Sequence, residues 1–211
     1  ALGRSATASG YESMALGRAA NASGTSSTAL GSVTTASGYG STALGTYANA
    51  SSTISTALGA YATASGIYST ALGGAASARG YGSTALGYRS NANGSYSMAL
   101  GSDATASGDY ATASGSYATA TGIRSQAMGP DATASGDSSI ALGRKAIATA
   151  TSSLAIGTGA RSSIANGTAI GAGAVAIQAL GGSQSSIPLG MAGDGTTDYF
   201  LAGLADKPGT D

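Results

Sequence analysis

Three regularities predict an all-β parallel solenoid. Glycine recurs at every seventh residue from Gly3 to Gly157, failing only at Ser52 and Ala150. Alanine stands two residues before each of those slots, from Ala1 to Ala155, without exception. The residue just before the slot alternates, as in Leu2, Ser9, Leu16, Ser23, Leu30 and Ser37, so the true period is fourteen. Fixed self-similarity at a short period marks a solenoid. A collagen helix would need glycine at every third residue, and the chain has only 3 Pro. A coiled coil would carry a glycine in each heptad at a cost of about 1 kcal/mol apiece. A parallel β-roll survives, each fourteen-residue coil being two short strands joined by two tight corners.

Composition agrees. With 35 Gly, one Phe and no Trp, His or Cys in 211 residues, a core of large side chains cannot be built. Nine basic and nine acidic residues cancel, so neither a nucleic acid nor an anionic membrane is expected as partner. The absence of cysteine excludes disulfides and thiolate metal sites. There is no long apolar run to insert in a membrane, and no basic-then-apolar opening. Beginning mid-repeat at Ala1-Leu2-Gly3, the chain reads as a fragment whose targeting and anchoring parts lie elsewhere.

Strand alternation assigns the faces. In Ser27-Thr28-Ala29-Leu30-Gly31, residues 27, 29 and 31 point one way and Thr28 and Leu30 the other. The first set is always small, as at Ala6, Ser13, Ala20, Ser27 and Thr34, and the invariant alanines are expected inside a thin roll. Glycine is expected where the strand turns, at positions of positive φ or close backbone approach, with the two variable residues after it forming the corner.

The outward sets differ between the two strands. One reads Leu2, Leu16, Leu30, Leu44, Leu58, Leu72, Leu86, Leu100, Ser114, Met128, Leu142, Ile156, Ile170, which is aliphatic in twelve of thirteen rungs. The other is mostly Thr then Ser, as in Thr7/Ser9, Thr35/Ser37 and Thr133/Ser135. With coils ~4.8 Å apart, the aliphatic rungs form a stripe roughly 50 to 60 Å long. Fully buried, a dozen such rungs bring some 20 kcal/mol or more, gross and as an upper bound. The stripe, with Met14 and Met98 beside it, predicts obligate oligomerisation. The alternative is that another segment of the chain covers it, but no apolar helix exists to do so.

Chains in which Ala-Leu-Gly or Ala-Ile-Gly alternates with Ala-x-Gly at a seven-residue step resemble the head domains of trimeric autotransporter adhesins, the YadA type with haemagglutinin-like head repeats. The likeness runs from Ala1 to about Gln178. It implies a left-handed parallel β-roll and a homotrimer whose aliphatic rungs, Leu2 to Ile170 above, face the axis while the Ser/Thr strand faces solvent. It also implies a bacterial outer-membrane surface, a role in virulence, and adhesion to an extracellular matrix protein or host cell surface. Residues 1–178 are accordingly read as the head and 179–211 as a separate C-terminal segment.

The pattern departs from the family's toward the end. Ser162 takes an alanine slot and Ile164 a glycine slot, and Ile147, Val175 and Ile177 make the polar strand apolar outside, as if a cap packs there. Gly-Gly-Ser-Gln-Ser-Ser at 181–186 reads as a linker, and Asp194-Gly195 as a turn signal. The tail shows no recognisable neck or heptad pattern.

Variation concentrates in the corners, which hold ten of the eleven tyrosines. Tyr11, Tyr39, Tyr68, Tyr81, Tyr96 and Tyr110 follow polar-strand glycines and are the candidate ligand contacts, tyrosine offering large area and a polar handle at low entropy cost. Tyr47, Tyr61, Tyr88 and Tyr117 follow the aliphatic-strand ones. The plainer reading is that the rings stack along the corners or close gaps between chains. Most corner charges, among them Arg4, Glu12, Arg18, Arg89, Arg124, Arg144 and Lys145, read as solvated surface groups.

No catalytic constellation forms: without His or Cys, the lone Glu12 and the two lysines Lys145 and Lys207 are too scattered to activate a serine. Asp103 and Asp131 lie two coils apart, with Asp109 and Asp137 at the opposite corner, which makes no calcium cage. No cofactor, metal or enzyme activity is expected. Besides adhesion, a structural spacer in a phage tail or surface filament fits the roll. The Thr-x-Ser ladder resembles ice-binding faces, weakened by Asn21, Asn49, Arg79, Asn91 and Asn93.

Overall fold

The computed structural model describes residues 1–176 and the backbone of Ser186–Met191 and Asp198–Ala202. The chain winds through two parallel sheets. Two-residue strands from Thr7–Ala8 to Val175–Ala176 build a 13-stranded sheet, and three-residue strands from Met14–Leu16 to Thr168–Ile170 build a 12-stranded one. Each strand pairs with those fourteen residues away, so like meets like: Ala71 pairs with Ala85 and Leu72 with Leu86. A bridge from Leu2 to Leu16 adds a thirteenth rung to the second sheet. No helix occurs among the described residues. Coils superpose in register because the side-chain period of a strand is two and the sequence period is even, so no residue changes face from coil to coil.

Between the sheets the core is alanine, with 0% exposure at nearly every inward position from Ala20 to Ala174. Serine takes the remaining inward slots of the longer strands, at Ser27, Ser41, Ser55, Ser69, Ser83 and Ser97, and Thr34 is the largest fully buried side chain. Some of these hydroxyls find backbone partners: Ser55 and Ser69 donate to the carbonyls of Ser52 and Gly66 three residues back (2.7 and 2.6 Å), and Thr34 donates to the Gly45 carbonyl (2.6 Å), whereas those of Ser27, Ser41, Ser83 and Ser97 are buried without a partner. The backbone does much of the joining that large side chains do elsewhere. Each coil's N–H groups donate to its neighbours, as Thr28 to Ser41 (2.9 Å) and Gly31 to Leu16 (2.9 Å).

The corners are more constrained than their variable residues suggest. Each opens on the slot glycine and closes with a turn bond, such as Ser27 N–H to the Gly24 carbonyl (3.2 Å). The second residue after the glycine adopts φ near +55°, whatever its type: Glu12 (53°), Val33 (57°), Ile54 (50°), Arg89 (54°) and Tyr110 (59°). Glycine takes this place only at Gly40, Gly82, Gly159 and Gly173. A left-handed conformation costs a side-chain-bearing residue about 1–2 kcal/mol. An inter-coil bond offsets it, because that geometry aims the N–H back at the preceding coil: Ser26 donates to Tyr11 (2.7 Å), Val33 to Arg18 (2.8 Å) and Ile54 to Tyr39 (2.8 Å). Val33, like Ile54, is β-branched, the side-chain type for which positive φ is most unfavourable. Val33→Gly is expected to raise stability by about 1 kcal/mol, seen as a higher thermal midpoint; an unchanged or lower midpoint would show that the corner is unstrained.

The late departures from the repeat do not interrupt the roll. Ser162 is fully buried in an alanine slot and donates to the Gly167 carbonyl (2.8 Å), while the corner after Ile164 turns at Asn166 with φ 59°. Val175 is exposed on the Ser/Thr sheet and Ile147 half-buried; Ile177 lies outside the described residues. Of the stretch read as a linker, Ser186 begins a strand. Ser186–Met191 pairs antiparallel with Asp198–Ala202, and the Asp194-Gly195 turn signal falls outside the described residues.

Candidate functional site

Two surfaces stand out from an otherwise neutral, hydroxyl-rich exterior. The first is the outer face of the 12-stranded sheet. Strand alternation that buries Ala57 and Ala85 turns Leu58 and Leu86 outward, and parallel register stacks them into one column from Leu2 to Ile170. Leu58 is 36% exposed, Leu86 43% and the terminal Leu2 70%. Exposure is partial because adjacent rungs cover one another. Relative to full burial the remaining gain is therefore about 0.6–1.2 kcal/mol per rung, on the order of 10 kcal/mol per chain, and the larger figure expected from sequence is corrected to that. A companion column on the same face carries Met14, Thr residues such as Thr28 and Thr42, then Met98, Gln126, Ile140 and Leu154. Over Ile140–Leu142 and Leu154–Ile156 both columns are apolar.

The second surface runs along the corner that leads into those strands. Tyr68 meets Tyr81 edge-on with centroids 5.5 Å apart, Tyr81 meets Tyr96 likewise at 5.2 Å, and Tyr96 stacks on Tyr110 at 5.2 Å. These four candidate residues form one continuous ridge, all about half exposed. Tyr81 and Tyr96 sit at different corner positions, and Gly82 makes the fit possible: a Cβ there would lie 3.0 Å from the Tyr96 ring. At Gly40, by contrast, a Cβ would meet Ile54 at 3.7 Å, an ordinary contact. Tyr11 and Tyr39 share the corner but join no ring pair. Ile54, Ile67 and Ile123 are exposed on the same edge and were missed by attention to tyrosine alone. On the opposite corner Tyr47 stacks on Tyr61 at 5.0 Å, and the ring of Tyr88 leans over Gly74.

Some charged residues bond to the adjacent coil. Asp109 and Asp137 accept the backbone N–H groups of Ser95 and Ile123 (2.8 and 2.9 Å). Asp103 pairs with Arg89 at 3.3 Å and accepts from the Ser102 hydroxyl. Arg18 donates to Ser32 and Arg79 to Asn93, both at 3.3 Å. On the Ser/Thr sheet, then, two of the residues that interrupt the ladder occupy each other. No cluster of three or more metal-ligating side chains, and no helix long and apolar enough to cross a membrane, occurs among the described residues.

Comparison with known families finds one match. The model described as the YadA head domain repeat (2 copies) matches residues 1–18, 8–34, 36–62, 64–90, 92–118, 120–146 and 148–174. Each of the later matches takes in about two coils of the roll. No curated protein matches the chain.

Proposed function

Because the chain belongs to the YadA head domain family, we propose that it is the adhesion head of a trimeric autotransporter, three copies packing their aliphatic faces around a common axis. Heads of this type form trimers in general, and the family implies a cell-surface location. The observation that carries the reading is the aliphatic column, twelve apolar rungs facing outward from a single chain, all of them exposed except the half-buried Leu30, Leu100 and Ile156. Membership accounts for the scaffold and assembly accounts for the stripe. Binding then falls to the corners, which the repeat leaves free to vary. The partner is an extracellular matrix protein or host cell surface, held through many weak contacts repeated along a stiff trimer, so that avidity replaces a tight pocket. The role is non-enzymatic.

The tyrosine ridge is the contact surface in this reading. Tyr68→Ser, Tyr81→Ser, Tyr96→Ser and Tyr110→Ser in one chain are expected to lower solid-phase binding to matrix proteins or cells about tenfold or more, with sedimentation unchanged. Binding retained in full would remove the ridge from the site. A second reading, a spacer without a ligand, is favoured by the stacking itself, since rings that pack on one another are already accounted for as corner packing. No binding above background by the unsubstituted trimer would decide for the spacer.

A further inference from the structure

From Leu2 to Leu100 the outward column is eight consecutive leucines at identical spacing. An interface made of identical rungs does not define its own alignment. If one chain slides by a single coil against its neighbours, seven of those leucines meet leucine again and only a terminal rung is newly exposed. Regular strands with a uniform face are prone to such slippage. Something in the face must break its translational symmetry if the chains are to lie level.

The companion column varies among Met, Thr, Gln, Ile and Leu, and in the outward column the one polar break is a single rung. Ser114 replaces the aliphatic side chain between Leu100 and Met128, with which its strand is in register, and is half-buried already in the single chain. One coil on, in the companion column, Gln126 stands where neighbouring rungs carry Thr112 and Ile140. We propose that Ser114, supported by Gln126, is the register pin of the assembly: a polar layer in the aliphatic face that is satisfied only when three copies of this chain lie level. The inference rests on the trimeric reading above. A serine hydroxyl donates one hydrogen bond and accepts others, so three level Ser114 side chains close a ring in which each gives to the next. The Gln126 amides add donors and acceptors beside it. After a slide of one coil, each Ser114 faces Leu100 or Met128 of another chain and its hydroxyl is buried without a partner, the more costly arrangement. A single polar position in an apolar seam sets register in coiled coils by the same physics.

The absence of cysteine from the chain makes the test direct. A Leu86→Cys chain and a differently tagged Leu100→Cys chain are refolded together and oxidised. A disulfide closes only where Cα atoms come within about 7 Å, so 86–86 and 100–100 bonds report level chains and 86–100 bonds report a slide of one coil. With Ser114 and Gln126 in place, mixed bonds are expected to be a small minority. With Ser114→Leu and Gln126→Thr in both chains, substitutions to residues the repeat uses at these positions, mixed bonds are expected to rise about tenfold. An equal mixed fraction in the two backgrounds would overturn the pin while leaving the trimer intact. No disulfide of any kind, in chains that sediment as trimers, would instead show that the aliphatic column is not at the axis, and the assembly reading would fall with the pin.

Discussion

A chain carrying Leu58→Asp and Leu86→Asp is expected to sediment as a monomer at concentrations where the unsubstituted chain is a trimer, while keeping its β-sheet circular dichroism. Both side chains project from the roll and are partly solvated in the single chain, so an aspartate at either place remains in water and the alanine core beneath it is untouched. In the trimer the same two rungs would bring six carboxylates to the axis. Removing an ion from water costs several kcal/mol even after relaxation, and like charges this close repel without a counter-charge among neighbouring rungs. The gain per leucine rung is about 1 kcal/mol, so two charged layers cancel most of the contribution of the remaining column, and the entropy cost of association tips the balance to the monomer. Separation of assembly from folding is what gives the measurement its force. An intact trimer would show that another face is at the axis, whereas loss of the circular dichroism signal would show that the single roll depends on assembly for its stability.

The roll was legible in the sequence because its determinants are constant residues. Alanine inside, leucine or serine outside and glycine at the turn repeat at one period, and an even period keeps every residue on its face. The outward column from Leu2 to Ile170 followed by the same logic. The corners were not legible, since the left-handed conformation at Val33 and Ile54 belongs to the turn bond and the inter-coil ladder, not to residue type; nothing in a valine announces it. The tyrosine ridge was half visible. Its members are separated by thirteen, fifteen and fourteen residues, because Tyr81 stands one place earlier in its corner than Tyr68, Tyr96 and Tyr110. Glycine directly after Tyr81 was the available signal, marking a corner left bare for the next coil's ring. Tyr11 and Tyr39 lacked a tyrosine in the adjoining coils and so fell outside the ring pairs, a matter of neighbours that counting tyrosines cannot reveal.

The two families of slot glycine look equivalent in sequence, yet Gly87→Ala is expected to destabilise the protein far more than Gly94→Ala. Gly87 ends a leucine strand with φ +135°, a region that side-chain-bearing residues rarely adopt, and a Cβ there would lie 2.5 Å from the Gly101 carbonyl oxygen and 2.6 Å from its carbon. Conformation and space both exclude a methyl group. Gly94, on the Ser/Thr strand, has no such φ and is held by close approach alone, a Cβ there lying 2.0 Å from the Gly108 carbonyl oxygen of the next coil, tighter than at Gly87. The overlap is with backbone, so the corner itself must move to relieve it, and the occupants of other slots show that the Ser/Thr strand can. All three exceptions in the slots, Ser52, Ala150 and Ile164, fall on the Ser/Thr strand, whereas the leucine-strand slots from Gly3 to Gly171 hold glycine throughout. At Ser52 the adjustment is visible: its N–H pairs with the Ser55 hydroxyl (3.3 Å), a bond its glycine counterparts do not make. The expected costs are about 3–5 kcal/mol for Gly87→Ala, from strain and overlap together, and about 1–2 kcal/mol for Gly94→Ala. Gly159→Ala is the control for conformation alone. With φ +70° and nothing within 4 Å of a Cβ, it should cost about 1 kcal/mol. Thermal midpoints compared at one protein concentration should fall by on the order of 10 °C for Gly87→Ala and by a few degrees for the other two. Equal falls for Gly87→Ala and Gly94→Ala would mean that close approach alone holds both glycines, and that the unbroken run on the leucine strand has another cause.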